Sequence, residues 1–122
     1  MKGRKPSTLT EGDIVEVPRP PSWLSSAAKA EWRRVVPALV ERKVLTTADL
    51  GGLENYCISV GRVREIERML RAGFDLKLFR AQNQAAQTAR QLAAELGCTP
   101  VSRSRPTVRP EGDADEDSPL GM

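Results

Sequence analysis

One apolar stripe constrains the fold of this chain more than any other feature. Leu50, Leu53, Cys57, Val60, Val63, Ile66 and Leu70 recur at three- and four-residue spacing, so they line one side of a 3.6-residue helix and cannot alternate across a strand. A start signal precedes the stripe: Thr46 with Asp49 three residues later is close to a capping box, with Asp in place of the usual Glu or Gln. Gly73 supplies a stop. From Thr47 to Ala72 the helix would run about 39 Å at 1.5 Å per residue. Gly51, Gly52 and Gly61 each weaken it by about 1 kcal/mol relative to Ala, which points to close approach by a neighbouring element or another subunit.

Two shorter helices fit around it. Ser25 or Ser26 can cap a first helix, with Ala28, Trp32, Val35, Val36, Leu39 and Val40 as its stripe. Pro37 lies inside this stripe and predicts a kink or a break, because it lacks an N–H and crowds the carbonyl of Arg33. Gln82 to Leu96 reads as a third helix, with Ala85, Ala86, Ala89, Leu92, Ala93 and Leu96 on its apolar face. Phe74 to Arg80 is a connection or its lead-in. The third helix stops at Gly97, and Pro100 forbids a restart. The expected fold class is therefore all-α, a small helical domain of about three main helices.

The rest of the chain lacks such periodicity. Residues 1–20 read as a basic, Pro-rich N-terminal arm, residues 21–97 as the helical domain and residues 98–122 as a C-terminal tail. Within the arm, Ile14 to Val17 could form a short strand or pack on the domain. A core drawn from 21–97 is thin, and small helical cores often gain stability by oligomerising. Charge is uneven: residues 1–110 hold all 19 Lys and Arg against 11 Asp and Glu, a net of +8. The tail from Glu111 holds five acids and no base, which brings the chain to +3. A basic body fits a polyanionic partner.

Enzymatic function is not expected. There is no histidine, hence no imidazole base and no mixed Cys/His zinc site. No phosphate loop, GxSxG or HExxH pattern occurs. Glu31, Glu41, Asp49, Glu54, Glu65 and Glu67 are scattered among bases in the manner of solvated helix faces rather than clustered for metal-dependent nuclease chemistry. No cofactor is implied. No apolar run approaches the roughly 20 residues of a membrane span, so a cytosolic protein with reduced thiols is expected, Cys57 as a small buried hydrophobe and Cys98 exposed.

The residues that could contact DNA are basic. Lys2, Arg4 and Lys5 form a basic tip, either a phosphate or minor-groove contact or a solubilising terminus. Arg64, Arg68 and Arg71 share one face of the second helix, with Arg62 nearby. They either face DNA, where each neutralised phosphate adds to salt-dependent affinity, or form a solvated face partly neutralised by Glu65 and Glu67. Charge runs on helices are usually the second. Trp23 and Trp32 could stack on bases, but their places at the start and on the stripe of a helix favour core or subunit packing.

An ordered set of short motifs closely resembles the P27-type family of phage small terminase subunits. Gly3-Arg4-Lys5-Pro6 looks like its N-terminal signature, and Pro20-Pro21-Ser22-Trp23-Leu24-Ser25 with Glu31-Trp32 its lead into the first helix. Leu45-Thr46-Thr47-Ala48-Asp49 and Tyr56-Cys57 resemble its second helix. Leu96-Gly97-Cys98-Thr99-Pro100 with Ser102-Arg103-Ser104-Arg105 resembles its closing motif. Family members carry a longer insert between the second and third helices than the Gly73 to Gln84 found here. The resemblance implies a non-enzymatic homo-oligomeric ring in the cytoplasm of an infected or lysogenic bacterial host. It would recognise the packaging start on double-stranded viral DNA and recruit and regulate the large terminase subunit, the ATPase and nuclease, with Ser102, Arg103, Ser104 and Arg105 as its contact. The rival readings are a dimeric helical repressor or antitoxin and an assembly adaptor without DNA contact.

Overall fold

The computed structural model describes residues 12–98. Three α-helices follow one another: α1 (Ser26–Glu41), α2 (Leu50–Ala72) and α3 (Leu76–Leu96), with a single 3-10 turn, Thr47–Asp49, before α2. α2 is the central element, and α1 and α3 both pack principally on it. The all-α expectation holds.

α1 and α3 begin with a side chain that satisfies an orphan N–H, and the 3-10 turn before α2 with a capping pair. The Ser25 hydroxyl accepts from the Ala28 amide at 3.1 Å. The Asp49 carboxylate accepts from the amide and the hydroxyl of Thr46, at 2.9 and 3.1 Å. Asp75 caps α3 by accepting from the Leu78 amide at 3.0 Å. That last cap moves the start of α3 six residues ahead of the expected Gln82. Phe74 to Arg80 is therefore mostly helix, and the link to α2 shrinks to Gly73, Phe74 and Asp75.

Helix ends repeat one device. α3 closes on Gly97 at φ 82°, with Cys98 donating to the Ala93 carbonyl at 2.8 Å. α1 closes the same way on Lys43 at φ 62°, where Val44 donates to Leu39 and Lys43 donates to Val40, a Schellman arrangement without the glycine that favours it. Gly73 follows α2 with φ 173°, an extended backbone open to any residue, so the stop there does not depend on left-handed geometry. Pro37 does not break α1, which runs through it unbroken. Pro37 and Arg33 are both exposed, so water can reach the Arg33 carbonyl that Pro37 leaves without a partner.

The core gathers at one end. Leu24, Ala28, Trp32, Val35, Val36 and Leu39 meet Leu45, Leu53, Tyr56 and Cys57, and α3 adds Ala89, Ala93 and Leu96. From Val63 onward the α2 stripe is only half-buried, because α1 no longer covers it. Gly61 marks the closest approach of α1 and α2: a Cβ there would stand 2.9 Å from the Ala28 nitrogen. The neighbour expected near that glycine is thus α1 of the same chain, while Gly51 and Gly52 face open space.

Segment 12–20 lies against this body. Ile14 donates to the Leu45 carbonyl at 3.0 Å and Thr47 to the Gly12 carbonyl at 2.9 Å, which makes one isolated bridge, Asp13 with Thr46, and no strand among the described residues. Ile14 packs on the core while Val15 and Val17 are exposed. The Trp32 indole N–H donates to the Pro18 carbonyl at 2.8 Å. A fully buried indole thereby keeps its one hydrogen bond.

Candidate nucleic-acid interface

The α1–α2 crossing that Gly61 permits also brings together side chains far apart in sequence. Glu31 points from α1 into that crossing and is fully buried. Its Oε1 accepts from Arg34 Nε at 2.9 Å and from Arg64 Nη2 at 3.0 Å. Its Oε2 accepts from Arg34 Nη2 at 2.7 Å and from the Tyr56 hydroxyl at 2.6 Å. Burial alone would raise the Glu31 carboxyl, but the Arg34 and Tyr56 hydrogen bonds and the charges of Arg34 and Arg64 hold it below the ordinary carboxylate range. Burial and the bond to Glu31 push the Tyr56 phenol up, so it stays protonated. The Cys57 thiol, desolvated beside this cluster, is pushed up to about 12 and is inert as a nucleophile.

Glu31 therefore corrects the expectation that the acids are all solvated. The signal was present but unreadable as chemistry: Glu31 falls within the apolar stripe, three residues after Ala28 and four before Val35. The apolar periodicity placed it on the buried face, yet nothing in sequence pairs it with Tyr56 and Arg64, 25 and 33 residues away.

The basic residues of α2 divide by environment. Arg64 is tied to Glu31 and its side chain remains 46% exposed. Arg71 makes a loose surface pair with Glu67 at 3.7 Å, of the kind worth little in water. Arg62 and Arg68 are exposed and pair with no acid among the described residues. Glu65 and Glu67 thus neutralise the stripe only at Arg71. Arg34 was not among the expected contacts, although 63% of its side chain is exposed beside Arg64. Lys2, Arg4, Lys5, Ser102, Arg103, Ser104 and Arg105 lie outside the described residues.

Two apolar features stand on the surface. Trp23 is 65% exposed, so of core packing, subunit packing and base stacking only the first is removed for it, whereas Trp32 is buried in the core. Trp23 borders an open groove of about 230 Å³ that also touches Ile58, Arg62 and Glu65. At the far end of the α2–α3 hairpin, Met69, Phe74, Leu76 and Phe79 are all exposed, with the Phe74 and Phe79 rings 5.7 Å apart. Cys98 is half-buried against the core rather than exposed.

Nothing in this arrangement assembles a metal centre: among the described residues no three His, Cys, Asp or Glu side chains are placed to hold an ion. No described helix is long and apolar enough to cross a membrane. In comparisons with known proteins, the family model described as "Phage terminase, small subunit" matches residues 28–113. That span takes in Glu31, Arg34, Tyr56, Arg64 and all of α2 and α3. Neither a curated protein nor a solved structure gave a match.

Proposed function

Because this chain belongs to the phage terminase small-subunit family, we propose that it binds double-stranded viral DNA at the packaging start and recruits and regulates the large terminase subunit. It acts in the host cytoplasm, without catalysis of its own, as a closed homo-oligomer. The observation that carries the DNA contact is the α2 row Arg64, Arg68 and Arg71. Its only acidic partners among the described residues are the buried Glu31 and a loose pair at Glu67. A row of cations at one-turn spacing suits a linear polyanion, and each phosphate neutralised releases counterions.

Self-association draws support from the apolar tip of the hairpin and from Trp23, both exposed among the described residues. Exposed apolar residues grouped in this way mark interaction sites more often than scattered ones do. The docking of the large subunit through Ser102 to Arg105 rests on the family resemblance of that segment.

The test is duplex binding as a function of salt. Affinity should fall as salt rises, and replacing Arg64, Arg68 and Arg71 by Ala should flatten the slope of log K against log salt. An unchanged slope would assign the row to a solvated surface. Light scattering should show an assembly larger than a dimer, and a dimer at micromolar concentration would favour the repressor reading.

A further inference from the structure

We propose that Arg34 and Arg64 together form a phosphate-binding fork for duplex DNA, with Glu31 as the residue that positions both. The inference rests on the DNA-binding reading above and names where on the chain a backbone phosphate sits.

A carboxylate offers about four acceptor sites, and Glu31 fills them with Arg34 Nε, Arg34 Nη2, Arg64 Nη2 and the Tyr56 hydroxyl. It can satisfy nothing more. Each guanidinium carries five N–H groups, of which Arg34 commits two and Arg64 one to Glu31. Neither pairs with a second carboxylate among the described residues. Both side chains remain substantially exposed, 63% for Arg34 and 46% for Arg64, while Glu31 is fully buried beneath them.

Two positive groups share one buried negative charge, so the cluster keeps a net positive charge at the surface. Because both donate to the same oxygen, Oε1 of Glu31, the two guanidiniums are adjacent. Their rotamers are already held, so an arriving anion need not order two long side chains. Planar donors held side by side suit the tetrahedral oxygens of a phosphate. Arg68 stands one turn further along α2, exposed and without an acid partner among the described residues, which extends the site in one direction. That extension favours a linear polyanion over a single free anion.

The experiment measures the affinity of the full chain for a duplex by fluorescence anisotropy at several salt concentrations, with thermal melting followed by circular dichroism for each variant. Glu31→Gln makes the protein more positive, so a simple charge effect would tighten binding. Positioning by Glu31 requires the reverse, a loss of about ten-fold, the scale of one charge-assisted hydrogen bond. Arg64→Lys keeps the charge and loses the fork, and should also weaken binding by about ten-fold. Arg90→Lys, on an exposed part of α3, should bind as the wild type does.

Wild-type-like affinity in Arg64→Lys, or tighter binding in a folded Glu31→Gln, overturns the fork while leaving DNA binding intact. Should Glu31→Gln fail to fold, Arg64→Lys decides alone. A wild-type chain that does not bind duplex at low salt overturns both readings. An acidic peptide of residues 111–117 that binds the wild type but not Arg64→Lys, with duplex affinity unmoved, would give the site to acidic protein segments instead.

Discussion

α2 runs through two different surroundings. Its first half, to about Gly61, lies between α1 and α3 and holds fully buried Leu53, Cys57 and nearly buried Tyr56. Its second half packs mainly on α3, with Arg64 reaching back to Glu31 of α1, and the same apolar stripe is only half-covered there, close to the exposed Met69, Phe74, Leu76 and Phe79 at the hairpin tip. One end of the molecule thus holds the packing that makes it stable. The other presents exposed apolar side chains, and an Arg68 that pairs with no acid among the described residues. A periodic stripe says that a helix has an inner face, not how much of that face the chain can cover.

Removing a side chain at each end should separate the two most strongly. Leu53→Ala is expected to cost about 3 kcal/mol or more, through lost burial and a cavity. Phe79→Ala, 41% exposed, should stay within about 1 kcal/mol for the isolated chain. Urea denaturation at low protein concentration checks both. A large Phe79 effect that grows with concentration would show that a partner copy covers the tip.

The helix glycines should respond with opposite signs. Gly61→Ala drives a Cβ against the Ala28 backbone, and overpacking of about 1–3 kcal/mol outweighs the gain in helix propensity. Gly52→Ala meets open space and should stabilise by up to about 1 kcal/mol. Equal effects in thermal melting would contradict a tight crossing at Gly61.

Acid should weaken the packed end. The Glu31 carboxyl titrates below its ordinary value of 4.5 in the folded chain. The stability it contributes is therefore complete above that value and is lost as pH falls through the lower folded value. Glu31→Gln should flatten the acid limb of a stability-against-pH curve below about pH 4.5. A limb of unchanged steepness would place the acid sensitivity elsewhere.

The smallest effect concerns the end of α1. Lys43 occupies a left-handed position that suits glycine. Lys43→Gly should raise stability by about 0.5–1 kcal/mol, less the added freedom of the unfolded chain.

Much of the fold was legible in particular residues. The Ser25 cap, the Thr46 and Asp49 pair, the Gly97 terminator and the stripes of α1 and α2 are local signals, read within one turn of helix. The start of α3 was missed because its only start signal is Asp75, with Leu78 where a capping box would place Glu or Gln. The burial of Trp32 was legible, but the exposure of Trp23 was not, since both sit near apolar neighbours in sequence. Of the candidate interface, the positions of Arg62, Arg64, Arg68 and Arg71 on one helix could be read directly. Which of them is tied down, and that Arg34 joins them, could not.

Sequence by itself determined that the described residues make three helices, where two of them begin, and which faces turn inward, because those properties depend on neighbours within four residues along the chain. Tertiary structure alone decided that Gly61 admits the Ala28 backbone, and that Glu31 is buried under Arg34, Tyr56 and Arg64. It also decided that the α2 stripe is buried around Leu53 and Cys57 and only half-buried from Val63 onward. Those outcomes depend on where α1 crosses α2. That crossing is set by how side chains 25 and more residues apart fit together, which no local periodicity encodes.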